Sequence, residues 1–557
     1  MAELPYPSSR TRIFSRYMND VPVSRRTVLG VMASIAPASL AGQMDAIVRR
    51  LATTMAQQGD TELLEMSARD AVARIRSGDL SAEAYVARLL RQNESGRALN
   101  LVNAIDTERV REAARAVDLS RARGAKLGPA AGLPFAVKDQ ISVAGYPTSA
   151  GNGALRGYVP KRHATVVDVL VRAGAIPFCM TAVPDMTVSD GIMHQVSSHS
   201  EAFGAVRNPY DPDRIPGGSS GGSAGVLAAG IVPAALGLDT NGSIRIPGAF
   251  SGVAGLRPST WTIENALRGR KRKRYSDDGV LIPPLSRLDT IGPMARTVSD
   301  VAFLDTLITG QRAPVVDQRQ LRIAIPHDDF WQQEPVEPGV AAVVREAFAK
   351  LRDAGCRLVE IDFDREVRRL AGTIDKPSQA SVLAAVGMNA LLQSSETMAA
   401  WLREHAPDVT VEQIYHGRPI RDRKRTLPSE AEQVAILRET NRRYAELYAS
   451  RGLTAIAYPT LPLVAPAIRA RGPLEPLGEM LTINGVAIEE GKAIARNVFI
   501  APRLGAAALT IPAGLTNGLP VGLQLDALPG HDSELLGLGI AVERILGRIP
   551  APPIRQG

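Results

Sequence analysis

The sequence predicts an α/β layered fold, because short apolar runs typical of buried strands alternate with amphipathic stretches typical of helices. Of the 557 residues, 45% are hydrophobic and 22% are charged, which is the composition of a globular protein with a sizeable core. This length allows one large domain or two of medium size. No internal repeat is visible that would indicate a solenoid.

The first elements of the predicted fold are two helices. Residues Ser67 to Asp70 resemble a capping box, and Gly78 ends the helix that starts there. A second helix is predicted from Ser81 to about Gln92. The first helix carries apolar residues such as Ala71 and Ile75 on one face.

A strand, a helix and a second strand follow. The apolar run 133–139 ends in Lys138 and Asp139, residues 164–173 are helical in pattern, and 175–180 form another apolar run. Further on, turn-forming residues precede a helix-like stretch at 226–229, and the strand-like run 231–238 breaks at residues 239–243. This order is typical of strands joined by helices in one sheet.

The C-terminal half continues the alternation. Residues 336–355 predict an amphipathic helix and 357–363 a strand. The stretch from about 365 to 450 is mostly helical in pattern, and we expect it to form a peripheral helical layer over the site.

Charge and cysteine usage exclude several classes of protein. The formal net charge is +8, and part of the excess lies in the basic run 268–274, which we interpret as a solvated loop because no nucleic-acid motif accompanies it. The two cysteines, Cys179 and Cys356, lie in apolar surroundings and predict small core residues. Neither disulfide framework nor zinc spacing is present, so no metal site is expected.

The N-terminus has the layout of a twin-arginine export signal. Arg25 and Arg26 precede an uncharged, weakly apolar stretch from Val28 to Ala41, with plausible cleavage after Ala38 or Ala41. Residues 1–41 would then belong to no domain, and the protein would be exported, to the periplasm in a bacterium with two membranes. The alternative is a cytoplasmic extension with a chance arginine pair.

Two overlapping G-x-S-x-G matches raise the nucleophile elbow of the α/β-hydrolases. They span Gly217 to Gly221 and Gly221 to Gly225. That elbow requires a strand directly before it, whereas Pro209, Pro212 and Pro216 precede it here, and proline cannot donate to a central sheet. The elbow is therefore disfavoured.

Three spaced blocks resemble the amidase signature family instead. They are a G-L-P-x-x-V-K-D block at 132–139, GGSSGGSAG at 217–225 and a D-T-x-G-S-I-R block at 239–245, in the order of that family. Similar later landmarks lie at 255–258, 289–298, 509–514 and 518–524. The resemblance covers residues 60–545 as a single amidase domain, with 546–557 as a tail. It implies a large mixed β-sheet covered by helices on both faces.

The resemblance also implies a catalytic relay of Lys138, Ser219 and Ser243. Amide hydrolysis needs an activated nucleophile, donors for the oxyanion and an acid for the leaving amine. Ser243 corresponds to the attacking residue, Ser219 to the proton carrier and Lys138 to the base. As a base Lys138 must be neutral, which costs about 4–5 kcal/mol at pH 7 unless burial lowers its pKa. The apolar run before Lys138 is consistent with burial.

Supporting residues are implied by the same resemblance. The backbone N–H groups of Thr240, Asn241, Gly242 and Ser243 would form the oxyanion hole. A cis peptide bond is expected between Gly218 and Ser219. The remaining assignments are a hydrogen bond from Ser220 to the lysine amine, architectural roles for Asp239 and Arg245, and a helix cap at Ser223.

Two departures from the family pattern stand out. The family commonly has D-T-G-G-S where this chain has Asn241, a residue that tolerates positive φ and changes the pocket beside the hole. The family's G-K-T-N-M-P-E segment reads Cys179 to Asp185 here, so substrate contacts of that segment do not transfer.

The predicted function is hydrolysis of a carboxylic amide to a carboxylate and ammonia or an amine, through an acyl-enzyme on Ser243. Residues 202–216 are most similar to the branch with mandelamide and indoleacetamide hydrolases, which suggests a small aryl-acetamide. The alternatives are an A-type subunit of an amidotransferase, which uses glutamine and charged transfer RNA, and a non-catalytic binding protein of the same fold. No cofactor and no nucleic-acid partner are expected. The export machinery is a partner if the signal is real, and a homodimer stays open.

Overall fold

A computed structural model describes residues 61–184, 199–200, 202–260, 273–276, 278–280, 289–372, 403–407, 430–468 and 480–556. Its strands, numbered along the chain, are β1 (Val102–Ala104), β2 (Pro134–Lys138), β3 (Ile176–Thr181), β4 (Ala234–Asp239), β5 (Ala254–Arg257), β6 (Thr290–Ala295), β7 (Arg322–Pro326), β8 (Arg357–Ile361), β9 (Ala455–Pro459), β10 (Met480–Ile483), β11 (Val486–Glu489), β12 (Ala508–Thr516) and β13 (Leu519–Asp526).

The helices are numbered in the same way. They are α1 (Ala68–Ser77), α2 (Ala82–Ser95), α3 (Thr107–Ala122), α4 (Thr165–Arg172), α5 (Gly221–Ala228), α6 (Arg245–Phe250), α7 (Val298–Thr309), α8 (Phe330–Gln333), α9 (Pro338–Asp353), α10 (Arg369–Gly372), α11 (Glu430–Arg451), α12 (Glu490–Val498), α13 (Ile500–Leu504), α14 (Asp532–Leu546) and α15 (Pro553–Gln556). Within the described ranges, none is long and apolar enough to cross a membrane.

A mixed sheet forms the centre of the fold. In the described part of the chain it has eleven strands in the order β1-β3-β2-β4-β6-β5-β12-β13-β9-β7-β8, and β10 pairs with β11 in a separate hairpin. Strand β2 runs parallel to both β3 and β4, whereas β12 and β13 are antiparallel. The α/β fold predicted from the sequence is therefore confirmed.

Helices pack on both faces of this sheet because successive strand residues point to opposite sides. In β2, Phe135 and Val137 belong to a cluster with α4 and α7, whereas Ala136 belongs to a cluster with α2 and α5. In β4, Leu236 and Ala235 divide in the same way. The sheet therefore has apolar cores on both sides, as the resemblance implies.

Several predicted elements have different bounds in the structure. The first helix is confirmed, with Ser67 accepting from the N–H of Asp70 and Gly78 at the C-cap, and the second extends to Ser95. The strand predicted at 231–238 begins at Ala234. The predicted signal at 1–41 and most of the layer at 365–450 lie outside the described residues; that layer's described ends are helical.

Of the basic run 268–274, residues 273 and 274 lie within the described residues. These two do not form the solvated loop that the sequence predicts. Arg274 is half-buried, with its side chain 8% exposed, and pairs with Asp305 at 2.6 Å. Lys273, also half-buried, donates to the backbone carbonyl of Asp289 at 2.8 Å. These two contacts therefore hold the end of the loop against the core. The Asp305 carboxylate neutralises the Arg274 guanidinium, which offsets the cost of removing that charge from water.

We expect Gly222→Ala to destabilise the protein by about 1–3 kcal/mol through overpacking. The first turn of α5 lies against the backbone of Ala182, the residue after β3, so a Cβ at Gly222 would be 2.5 Å from both the backbone N and O of Ala182. Gly372→Ala is the matched control, since a Cβ there has no neighbour closer than 3.9 Å. Urea unfolding of both variants measures the difference, and equal stabilities would contradict the close packing.

Candidate active site

Two neighbouring strands place a lysine and an aspartate at the same edge of the sheet. Lys138 is the last residue of β2 and Asp239 the last of β4. The strands are parallel, with Val137 opposite Leu236, so their carboxyl ends meet at the same edge. Both side chains are fully buried.

The Lys138 amine contacts the serine-rich block directly. Its Nζ donates to the Oγ of Ser219 at 2.6 Å, and Ser219 is itself buried. The peptide bond between Gly218 and Ser219 is cis, which confirms the expectation from the sequence. The structure thus brings together two of the three residues of the predicted relay.

Ser243 contacts the serine-rich block through its backbone carbonyl. The N–H of Ser220 donates to the carbonyl of Ser243 at 3.1 Å, which fixes the serine-rich block against the loop 239–243. Ser243 is 9% exposed, the most accessible member of the predicted relay. Among the hydrogen bonds of the described residues, none joins its hydroxyl to that of Ser219, so proton transfer between them belongs to the proposal below.

The Asp239 carboxylate holds this loop in shape. It accepts from the backbone N–H of Gly242 at 2.8 Å and of Ile244 at 3.3 Å. It also forms buried ion pairs with Arg245 at 3.1 Å and Arg257 at 3.2 Å. Burial alone would raise the pKa of Asp239, but the two guanidiniums outweigh it and hold that pKa well below its usual range. This agrees with the architectural roles predicted for Asp239 and Arg245.

The Gly242 amide differs from its predicted role in the oxyanion hole. Because its N–H already donates to Asp239, it is not free to face a carbonyl oxygen. Its φ is +110°, and a Cβ there would lie 2.6 Å from the Cγ2 of Val498, so the position requires glycine. The candidate donors that remain are the backbone N–H groups of Thr240, Asn241 and Ser243.

Two serines of the block do not occupy their predicted places. The hydroxyl of Ser220 bonds to the backbone of Leu238, accepting from its N–H at 3.2 Å, and its predicted contact with the lysine amine is not formed in the described structure. Ser223 is not a helix cap, because α5 already begins at Gly221. Its hydroxyl contacts that of Thr181 at 2.7 Å and donates to the carbonyl of Leu236 at 3.1 Å.

Burial sets the protonation of the candidate base. Desolvation lowers the pKa of Lys138 to about 7, although the carboxylates of Asp239 and Asp289 oppose the shift. At neutral pH a large fraction of Lys138 is therefore the uncharged amine that can accept a proton. Lys138 is therefore buried, as its role as a neutral base requires.

A second buried carboxyl follows the lysine, and its partners were not predicted. Asp139 accepts from the hydroxyl of Ser149 at 2.5 Å and from the Nδ2 of Asn103 at 2.8 Å. Burial raises the pKa of Asp139 to about 6, against these hydrogen bonds. The polar pair Lys138-Asp139 at the end of an apolar strand is a sequence signal that could have indicated this buried carboxyl.

The arginine pair continues into a network that was also missed. Arg245 donates to the Oε1 of Gln524 at 3.2 Å, and the Nε2 of Gln524 donates to the Oδ1 of Asp526 at 2.8 Å and to the hydroxyl of Tyr458 at 2.7 Å. Burial raises the pKa of Asp526 to about 6. These residues come from strands far along the chain, so spacing alone could not connect them to the site.

Other nucleophiles and metal ligands are not assembled in the described residues. Burial raises the pKa of the Cys179 and Cys356 thiols above their usual range, which makes both poor nucleophiles and fits their predicted place in the core. Across the described ranges, no group of three or more histidine, cysteine, aspartate or glutamate side chains could hold a metal ion.

Comparison with known proteins finds relatives that cover most of this chain. The Amidase family model matches residues 82–536. The A-type subunit of Glutamyl-tRNA(Gln) amidotransferase from Chloroflexus aurantiacus is 34% identical over 524 residues, covering 87% of this chain and 97% of the relative. Indoleacetamide hydrolase of Rhizobium radiobacter is 30% identical over 497 residues, covering 85% and 95%.

Solved structures share the fold. An amidase crystal structure matches with a TM-score of 0.68 and 28% identity, covering 86% of this chain and 100% of the other. The native peptide amidase of Stenotrophomonas maltophilia matches with a TM-score of 0.64 and 25% identity, covering 88% and 99%. The names of these similar proteins point to different amides, so the fold alone does not select a substrate.

Proposed function

The chain belongs to the amidase family, and we propose that it hydrolyses a carboxylic amide through an acyl-enzyme on Ser243. Membership makes the chain an enzyme acting on amide C–N bonds. The observation that carries the proposed mechanism is the 2.6 Å hydrogen bond between a fully buried lysine, Lys138, and the hydroxyl of Ser219. A lysine with its pKa near neutrality is a suitable base at the pH of most enzymes.

The proposed acylation uses these residues in sequence. The neutral amine of Lys138 accepts the proton of Ser219 as Ser219 accepts that of Ser243, and the Oγ of Ser243 attacks the carbonyl carbon. The backbone N–H groups of Thr240, Asn241 and Ser243 stabilise the oxyanion. The C–N bond then breaks, and the leaving nitrogen receives the proton back from Lys138 through Ser219.

Deacylation repeats the relay with water. A water molecule loses its proton to the relay and attacks the acyl carbon, and the bond to Ser243 breaks as the proton returns to its Oγ. The products are a carboxylate and ammonia or an amine. Every proton that Lys138 takes up is returned, so no other reactant is consumed.

A small aryl-acetamide is our proposed substrate. The support is the similarity to an indoleacetamide hydrolase over 85% of the chain, together with the stretch 202–216 that the sequence places near that branch. The test incubates purified protein with phenylacetamide, indoleacetamide, a short aliphatic amide, a peptide amide and glutamine, and measures ammonia. We expect the fastest release from the aryl-acetamides, and none from the Ser243→Ala control. Ammonia release that survives in that control would overturn the mechanism.

We expect kcat/KM to rise with pH and to level off above about 7. The neutral form of Lys138 is the active one, so each pH unit below its pKa of about 7 reduces that form, and the rate, by about tenfold. A pH profile with the best amide, with enzyme stability checked at each pH, measures this limb. A profile that stays flat through neutrality would contradict a lysine base.

Glutamine-dependent amide transfer, with this chain as one component of a larger enzyme, is the second candidate function. It is favoured by the 34% identity to the A-type subunit of Glutamyl-tRNA(Gln) amidotransferase. This candidate predicts that glutamine is the best amide of the panel and that its hydrolysis increases when partner proteins and charged transfer RNA are added. The aryl-acetamidase proposal predicts full activity of the chain alone.

Export by the twin-arginine route is a separate proposal, supported by the arginine pair and the apolar stretch that follows it. Expression in a host with an intact pathway tests it. We expect an exported product shortened by removal of residues 1–38 or 1–41. A purely cytosolic product of uncut mass would rule export out.

A further inference from the structure

The loop that ends at the nucleophile satisfies most of its side-chain polar atoms internally. Asp239 is paired with two arginines, and the hydroxyl of Thr240 donates to the carboxylate of Asp289. Asn241 is the exception. Its Oδ1 is buried and has no hydrogen-bond partner in the structure described. An unpaired buried acceptor destabilises the folded protein, so it needs an explanation.

Backbone conformation does not explain this asparagine. Asn is favoured where φ is positive, and the described non-glycine residues with positive φ are Asn100, Ala150, Asn484 and Asn517. Asn241 is not among them, so its loop conformation does not depend on an asparagine. The side chain is also extra relative to the pattern that the sequence resembles, in which glycine commonly stands at this place.

We infer that Asn241 is a specificity-determining residue whose side-chain oxygen accepts a hydrogen bond from the N–H of the substrate amide. This inference rests on the proposed function and deepens it. It names the substrate class as amides that carry at least one N–H, in preference to N,N-disubstituted amides and to esters of the same acid.

The chemistry of the site supports this choice of partner. A carbonyl oxygen only accepts hydrogen bonds, so the scissile carbonyl pairs with backbone N–H groups and not with Oδ1. The amide nitrogen is bonded to the same carbon and carries the donor that Oδ1 lacks. Asn241 lies two residues before Ser243, in a loop whose backbone Asp239 holds at Gly242 and Ile244. An ester puts an oxygen without hydrogen where the amide has N–H, and a site with an unpaired acceptor discriminates against such an analogue.

The experiment compares the best amide of the panel with the methyl ester of the same acid, in the wild type, Asn241→Ala and Asn241→Asp. We expect Asn241→Ala to lower kcat/KM for the amide by about 10- to 100-fold more than it lowers kcat/KM for the ester. The ester is a built-in control, because both substrates need the same nucleophile and the same oxyanion donors. Asn241→Asp retains an acceptor oxygen and should keep the amide-to-ester ratio near that of the wild type.

Each other outcome is decisive. An amide-to-ester ratio that is unchanged in Asn241→Ala, whether both rates fall or neither does, overturns the inference and leaves the amidase mechanism standing. A ratio that falls equally in Asn241→Asp overturns the acceptor role, because the nitrogen end of the side chain would then be the group that matters. A wild type that hydrolyses no amide refutes the proposed function itself and this inference with it. Urea unfolding of the variants confirms that they are folded.

Discussion

Replacing Ser243 by alanine is expected to reduce amide hydrolysis by about 10⁴- to 10⁶-fold, the loss typical of removing a serine nucleophile. Without the Oγ no acyl-enzyme forms, and Lys138 and Ser219 have no hydroxyl to activate. Ser243 is nearly buried and makes its fixed contact through its carbonyl, so removing the hydroxyl should leave the fold intact. Ammonia release under saturating amide measures the effect.

Ser251→Ala is the matched control for this prediction. Ser251 is also a buried serine near the site, but its hydroxyl donates to the carbonyl of Pro216 at 3.1 Å. Its loss should cost about 1 kcal/mol of stability and leave kcat within about threefold of the wild type. A second readout is the mass of the quenched enzyme, which should carry an acyl group in the wild type and none in Ser243→Ala. An acyl adduct on a different residue would refute Ser243 as the nucleophile.

Local pattern was sufficient to predict the parts of the fold that short-range chemistry determines. The caps at Ser67 and Gly78 bound the first helix, and an apolar run ending in Lys138 is a buried strand ending at the site. Those signals depend on a few adjacent residues. The start of α5 was misjudged because glycines disfavour helix, whereas here the lack of a Cβ at Gly222 lets the helix approach the backbone of Ala182, just after β3.

The features of the site that the sequence did not predict depend on contacts between segments far apart in the chain. No residue near Arg245 in the sequence indicates that Gln524 and Asp526 belong to its network. These two residues lie in β13, and the sheet order that places β13 two strands from β5 is a property of the whole chain. The Gly242 amide was misassigned for a related reason. The spacing shows that a loop amide is close to the nucleophile, but not that a carboxylate three residues earlier already accepts from it.

Burial explains why the base beside the nucleophile loop can be a lysine despite the carboxylates nearby. The carboxylates of Asp239 and Asp289 raise the pKa of the nearby amine. Desolvation then dominates and brings the pKa of Lys138 to about 7.

Replacing Lys138 by methionine should lower kcat by about 10²- to 10⁴-fold, the contribution of a general base, and remove the rise of activity near neutral pH. Methionine fills a similar volume without a charge, so the fully buried site should accommodate it with stability equal to or above that of the wild type. Lys138→Arg keeps the charge, but an arginine cannot be deprotonated at these pH values and should be equally inactive. The pH profile of the residual Lys138→Met activity is the sharpest readout. If it still rose through about pH 7, another group would be the base, because the only titration that the mechanism requires near that pH belongs to Lys138.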